Sequence, residues 1–437
     1  MDKKALSLPI LIALVVGNMI GTGIYLLPAS LAHYGTISIL AWIFTAIGTL
    51  FLAFTFTSLN KRYSKTGGLY AFCKKAFGRP TGFIIAYTYW ASFLVSVAAV
   101  SVAAAGYLGF LIPSLNAENP AYAPYATLAV ELCFVWLFTF INLISIHIAG
   151  VVQLVLTVIK IAPLILIILV GFGSMHLINL EQFSLTHTSS FTAISGAATL
   201  TFWAFIGLES AIIPAENTRG PRDIYIATIV GTLIVSIIYI LSTIVLMGMI
   251  PSSTLADSQF PFAEAATLLF GPHAASLIAL CAVISALGAI NVCILIQGQI
   301  AFAAARDHLF PQILSKLSRH DVPIPAQILS SSLVTFLLFM TIEPTLLKQF
   351  NNIALFATLL TLITYFAATI AELKFLWLEK VGFSFRWLFS KPMLVAIVAM
   401  LYSIWMISNF DAMMLLSCAA LMVVGLPVYF FTLRARQ

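Results

Sequence analysis

Of the chain's 437 residues, 61% are hydrophobic and only 8% charged, where a soluble domain carries roughly 25% charged residues. That balance excludes an ordinary soluble enzyme or binding module and leaves a polytopic membrane protein. The formal net charge is +6, but the basic residues are arranged by sidedness, as follows, so nucleic acid is excluded as its explanation.

Apolar runs of about 20 residues, the length needed to cross a bilayer, predict twelve spans. They lie near 8–31, 36–59, 81–113, 124–147, 150–174, 191–214, 224–250, 273–304, 323–342, 350–378, 391–409 and 412–433. The first follows Lys3 and Lys4 and runs past signal-peptide length without a small-residue cleavage site, so no cleavage is expected. Of the 21 Lys and Arg, 19 fall in or beside alternate connections on the side of the N-terminus. Lys348 alone falls in an opposite loop and Lys160 lies inside a span. This bias predicts both termini in the cytoplasm.

The first span contains Gly17-Asn-Met-Ile-Gly-Thr-Gly-Ile-Tyr-Leu-Leu-Pro28, with three glycines in seven residues. Unwound backbone inside a membrane is tolerated only where protein or water surrounds it. A break there presents one half-helix N-terminus and one C-terminus, able to hold an anionic group and a cation. The sixth span carries a second interruption, Thr201-Phe-Trp-Ala-Phe-Ile-Gly-Leu-Glu-Ser210. For a single glycine, close helix packing is the better reading. Two breaks at corresponding places of two halves instead mark a central binding site.

The spans hold few charges, each costly there and a functional candidate by default. Lys160, in Thr157-Val-Ile-Lys-Ile-Ala-Pro163, and Glu209 are the candidates for proton coupling. A permanently charged brace for the first break, and a carboxylate satisfied by backbone N–H groups, are the respective structural readings. Glu131 in the fourth span has no evident role. Glu216, Arg219, Arg222, Asp223, Lys61, Arg62, Arg306 and Asp307 are expected to brace loops and gates. The five cysteines and seven histidines show no metal spacing. The glycine string lies within a span and lacks the P-loop Lys-Ser/Thr, so no enzymatic or ATPase constellation and no cofactor is expected.

Gly17–Pro28, Thr66-Gly-Gly-Leu-Tyr70, Phe205-Ile-Gly-Leu-Glu-Ser210 and Glu216-Asn-Thr-Arg-Gly-Pro-Arg222 together resemble the amino acid–polyamine–organocation transporters. The likeness covers essentially the whole chain and is greatest to the bacterial arginine/agmatine and lysine/cadaverine antiporters. It implies an all-α, leucine-transporter-like 5+5 inverted repeat in one transmembrane domain. The repeats would run about 8–175 and 191–378, with two further helices at about 391–433 that offer a surface for a homodimer. It also implies a sodium-independent secondary carrier in the cell membrane, its partners being an amino acid or amine, protons and lipid.

Carried over by position, the resemblance implies that Thr22 and Gly23 meet a substrate carboxylate. Carbonyls near Met19, Trp203 and Ile206 would take an ammonium. Tyr89, Trp203 and Tyr365 match aromatic positions that gate or line the pocket, and Glu209 matches a glutamate used in the antiporters' pH response. Where the arginine antiporter has a tryptophan, an asparagine and a serine in its distal pocket, this chain has Cys293, Val97 and Ala357, with Ser92 and Phe93 beside them. A lost cation–π face is worth up to roughly 2 kcal/mol, and a buried unpaired cation costs several. The sequence therefore predicts a neutral, apolar amino acid as substrate, by symport with protons or by exchange. A cationic amino acid or polyamine antiporter is the alternative. Lys160 matches a lysine of the sodium-independent neutral amino acid transporters, where an ammonium replaces a sodium ion.

Overall fold

The computed structural model describes residues 5–116, 123–180, 183–186, 188–340, 346–379 and 390–434. The sequence expectations that fall on Lys3, Lys4, Lys380, Arg386 and Arg436 lie outside them. Within these limits the molecule is helical, and its β-structure is confined to one isolated bridge between Leu6 and Thr218.

The first span divides as expected, into α1 (Leu8–Met19) and α2 (Gly23–Ala32). After it come α3 (Ile37–Arg62), the short α4 (Leu69–Phe77), α5 (Arg79–Leu111), α6 (Ala123–Ile144) and α7 (Ile146–Gly171). The sixth span begins as α8 (Ser190–Trp203) and then leaves helical geometry through residue 214 in consecutive turns. Next come α9 (Pro221–Met249), the short α10 (Ser252–Ala256) and α11 (Pro261–Phe270), then α12 (Pro272–Arg306). The chain ends with α13 (Ile324–Met340), α14 (Leu346–Leu378), α15 (Lys391–Ser408) and α16 (Ala412–Arg434). Proline occupies the first turn of α1, α5, α9, α11, α12 and α15, where its missing N–H leaves no bond unmade.

Among the described residues, ten helices are long and apolar enough to cross a membrane, α1 and α2 counting as one; α11 and α13 are shorter apolar helices. Together with the family likeness reported below, this makes the chain a multi-pass membrane protein. Helix α5 is the central post, buried almost throughout, with α12 and α14 packed along it. The most hydrophobic stretch of α1–α2 is 89% buried and that of α16 only 11%, which puts the broken segment inside and α16 at the rim. Large side chains such as Leu137, Phe140, Val158, Leu169, Phe336 and Val424 point outward; in water such a surface would aggregate, and in lipid it is at home. Thr57, Ser96, Thr139 and Thr358 return their hydroxyls to the carbonyl four residues back, which satisfies them inside a helix.

Candidate functional site

The two breaks lie side by side. Residues 20–22 separate α1 from α2, and the chain is held there by short local bonds, Gly21 N–H to the Met19 carbonyl (3.0 Å) and Tyr25 N–H to the Thr22 carbonyl (3.0 Å). Across from them Gly207 has φ +106°, a conformation in which other L-residues are strained. A Cβ on Gly207 would stand 2.4 Å from Asn18 Nδ2, so the glycine also admits a tie between the breaks. Asn18 Nδ2 donates to Ser210 Oγ at 2.8 Å, and the Cys293 thiol of α12 donates to Asn18 Oδ1 at 3.2 Å. Gly23 in turn lets the Trp203 indole approach to about 3 Å of where a Cβ would be.

Between these segments is a cavity of about 360 Å³, open mouth included, lined by Asn18, Met19, Gly21, Thr22, Gly23, Ser96, Val100, Trp203, Ile206, Ala289 and Cys293. The Thr22 hydroxyl is fully buried and has no partner among the described residues, an unusual cost that a bound polar group would relieve. The Met19 carbonyl already accepts from the Tyr239 hydroxyl and from Gly21 N–H, and the Trp203 carbonyl from Ile206 N–H at 3.2 Å.

Six residues singled out from the sequence thus meet at the cavity: Met19, Thr22, Gly23, Trp203, Ile206 and Cys293. Tyr89, Ser92, Phe93, Val97, Ala357 and Tyr365 are buried outside its lining. Tyr89 and Tyr365 instead donate their hydroxyls to the two carboxylate oxygens of Glu209, Tyr89 at 2.8 Å. Phe93 packs edge-on against the Tyr89 ring, and Ser92 Oγ bonds the Tyr89 carbonyl at 2.7 Å. The α5 wall is formed by Ser96 and Val100, four residues apart and so on one helix face. Neither was anticipated, nor were Asn18 and Ala289; Gly21 was expected at the break but not as part of the lining. A polar Asn18 inside an apolar, glycine-rich break was the available signal.

Lys160 of α7 is completely buried. Its ammonium donates to the Gly17 carbonyl at 2.6 Å, to the Ile20 carbonyl, and to the Ser285 carbonyl of α12 at 3.5 Å. It therefore sits on the carbonyl end of α1, where a helix dipole favours a cation.

On the face where α3, α12 and α14 end, ion pairs tie the loops. Arg62 meets Glu372 and Glu379, Asp307 meets Lys65 (2.6 Å) and Lys74 (3.1 Å), and Arg306 forks onto Glu216 at 2.9 and 2.8 Å. The Leu6 N–H reaches the Asn217 carbonyl at 2.8 Å, which fastens the N-terminal segment to the loop carrying Glu216. Hydrogen bonds from Arg306 hold the Glu216 carboxyl below the usual carboxylate range. A carboxylate whose folded-state value is depressed stabilises the fold above its unfolded value, and loses that contribution as pH falls through the folded one. Glu216→Gln should therefore melt below wild type at neutral pH, with the gap closing in strong acid. Thermal melts in detergent across that range check this, and a pH-independent gap would remove the pair as its cause.

A broken-helix cavity deep in a multi-pass membrane protein is the architecture of a secondary transporter. The profile of the amino acid permease family matches residues 6–428. The putrescine transporter PotE of Haemophilus influenzae is 30% identical over 423 residues, 96% of this chain and 94% of the relative. PotE of Escherichia coli K12 is 31% identical over 354 residues (80% and 79%), and the cadaverine/lysine antiporter of that organism 30% over 390 residues (86% and 84%). The chain belongs to the amino acid permease family, within the amino acid–polyamine–organocation transporters.

Proposed function

We propose that this protein is an antiporter of cationic amino acids and polyamines, exchanging them across the cell membrane by alternating access around the α1–α2 and α8 breaks. Relatives named for putrescine and for cadaverine and lysine, along most of both chains, support this reading over the neutral substrate expected from Cys293, Val97 and Ala357. The observation that carries it is the cavity between the two breaks. The buried Thr22 hydroxyl awaits a partner there, and Glu209 supplies a carboxylate on the same unwound segment as Ile206. Met19, Ile206, Val100 and Ala289 offer apolar walls to a methylene chain. Lys160, filling the place of a cation with its own ammonium, accounts for transport without sodium. The whole chain would form one domain of twelve spans, repeats at about 8–175 and 191–378, both termini cytoplasmic, with the last two helices free to meet a second copy.

A neutral amino acid is the second reading, because no carboxylate or cationic side chain is among the lining residues. Uptake of radiolabelled diamines, lysine, arginine and neutral amino acids into proteoliposomes decides between them. Lysine or diamine uptake that needs an internal amine is expected. Uptake of a neutral amino acid that excess lysine leaves untouched would overturn it. Cys293→Trp should strengthen binding of cationic substrates by about tenfold or more, the value of a desolvated cation–π contact. An unchanged ratio of cationic to neutral affinity in competition binding would remove Cys293 from the side-chain end of the cavity.

A further inference from the structure

A second polar seam runs through the protein apart from the substrate cavity. It starts at Lys160. A Cβ on Gly288 of α12 would lie 3.3 Å from Lys160 Nζ, 3.4 Å from Leu156 Cβ and 3.8 Å from Gln153 Nε2, so this glycine brings α12 close against both the ammonium and the amide. Gln153 bonds the Thr157 hydroxyl at 3.2 Å and accepts from Asn291 Nδ2 at 3.2 Å; Asn291 accepts from Asn142 Nδ2 at 2.9 Å. One turn from Asn142 on α6, Thr139 shares a hydrogen bond of 2.7 Å with Ser331 of α13, which also accepts from Gln297 Nε2 at 3.4 Å. Gln327, one turn before Ser331 and close to the start of α13, packs against Gly298.

Along this seam Asn142 Oδ1, Gln297 Oε1 and both amide atoms of Gln327 are buried and have no partner among the described residues. All three residues are wholly enclosed. Orphaned polar atoms are costly in a dry interior, and four in one seam, joined to a polar chain, call for a ligand with both donors and acceptors. Water has that chemistry, making about three bonds to otherwise unsatisfied groups. The α13 start lies on the face that carries the loop ion pairs, whereas the substrate cavity is lined by the two breaks, by α5 and by Ala289 and Cys293 of α12.

We propose that internal waters occupy this seam between α6, α12 and α13 and carry protons between Lys160 and the cytoplasm, by a route separate from the substrate's. In each transfer one O–H bond breaks as the next oxygen gains one. The last step forms an N–H bond on the Lys160 amine, and the reverse sequence returns the proton. The amides orient the waters and the Thr157 hydroxyl relays. Cys293 of α12 is the titratable side chain that faces Lys160 electrostatically. Among the described residues Lys160 has no ion pair, and α1 offers it backbone carbonyls only.

The inference rests on Lys160 being the coupling group, and the test separates the two. In proteoliposomes, substrate-for-substrate exchange at equal pH is compared with accumulation driven by a pH gradient, both read from the same vesicles. Their ratio does not depend on how many molecules have folded. Gln327→Leu and Gly288→Ala are expected to lower the ratio by about tenfold, the scale of one lost hydrogen-bonded site, while Gln327→Asn restores it. Lys160→Arg, which keeps a cation for the Gly17 and Ile20 carbonyls but cannot give up its proton, should keep equal-pH exchange and lose the driven accumulation altogether. If Lys160→Arg loses it and the seam variants keep the wild-type ratio, the route is wrong and the coupling group stands. If Lys160→Arg keeps it, or wild type shows no driven accumulation, both fall.

Discussion

Lys160→Ala is expected to abolish tight substrate binding and to lower the melting temperature by several degrees. Helix α1 stops at Met19, so the carbonyls of its last turn lack the N–H groups of a following turn. Gly21 N–H, which would have continued the ladder to Gly17, turns back to the Met19 carbonyl instead. The Gly17 carbonyl is left to the Lys160 ammonium, and the Ile20 carbonyl shares that ammonium with the Ser285 hydroxyl at 3.3 Å. Removing the side chain orphans the first and weakens the second, at about 1–3 kcal/mol for each buried group left unpaired. The break itself would shift, and Met19, Thr22 and Gly23 with it. Binding measured at several fixed pH values distinguishes the brace from the proton carrier. A brace predicts weakened binding at every pH, and a pure carrier would leave affinity intact and remove only its pH dependence. Unchanged affinity and unchanged melting would remove the brace.

Much of this was legible because lipid imposes strict rules on the chain. Among the described residues, the ten helices long and apolar enough to cross a membrane all stand where spans were expected, and the ends of α3, α9 and α13 fall within about three residues of prediction. The breaks could be read from Gly17, Gly21, Gly23 and Gly207, since glycine beside polar residues has few other uses in mid-membrane. The short helices α4 and α11 were not foreseen, because at nine and ten residues they are too short to register as apolar runs of spanning length and fell in the expected connections. On α5, resemblance led to Val97 where the cavity meets Ser96 and Val100. One residue along a helix is a rotation of about 100°, and no periodicity in a span apolar on all sides fixes that angle. Lys160 could be found as a buried charge, but its carbonyl partners could not, since backbone acceptors leave no mark on sequence.

Gly207→Ala should reduce transport by about a hundredfold, more than any other glycine-to-alanine change around the cavity. Two costs combine at this position. Its φ of +106° strains any residue with a Cβ, typically by about 1–3 kcal/mol. The new methyl would also lie 2.4 to 2.9 Å from Asn18 Nδ2, Cγ and Cβ, so Asn18 must leave. Its departure breaks the bond to Ser210 and the one from Cys293, the polar tie that keeps the two breaks in register. With roughly 1 kcal/mol for each hydrogen bond lost, the sum corresponds to about two decades. Gly21 has no such φ, and its nearest neighbour is the Ala289 methyl at 3.2 Å, so Gly21→Ala should be milder. The informative control is Gly78→Ala, at φ +88° with nothing within 4 Å of the added methyl, which carries the strain without the collision. Initial rates of exchange in proteoliposomes, normalised to protein incorporated, make the comparison. Equal losses at Gly207 and Gly78 would reduce the effect to backbone strain, and the Asn18–Ser210 tie would then have no part in holding the site together.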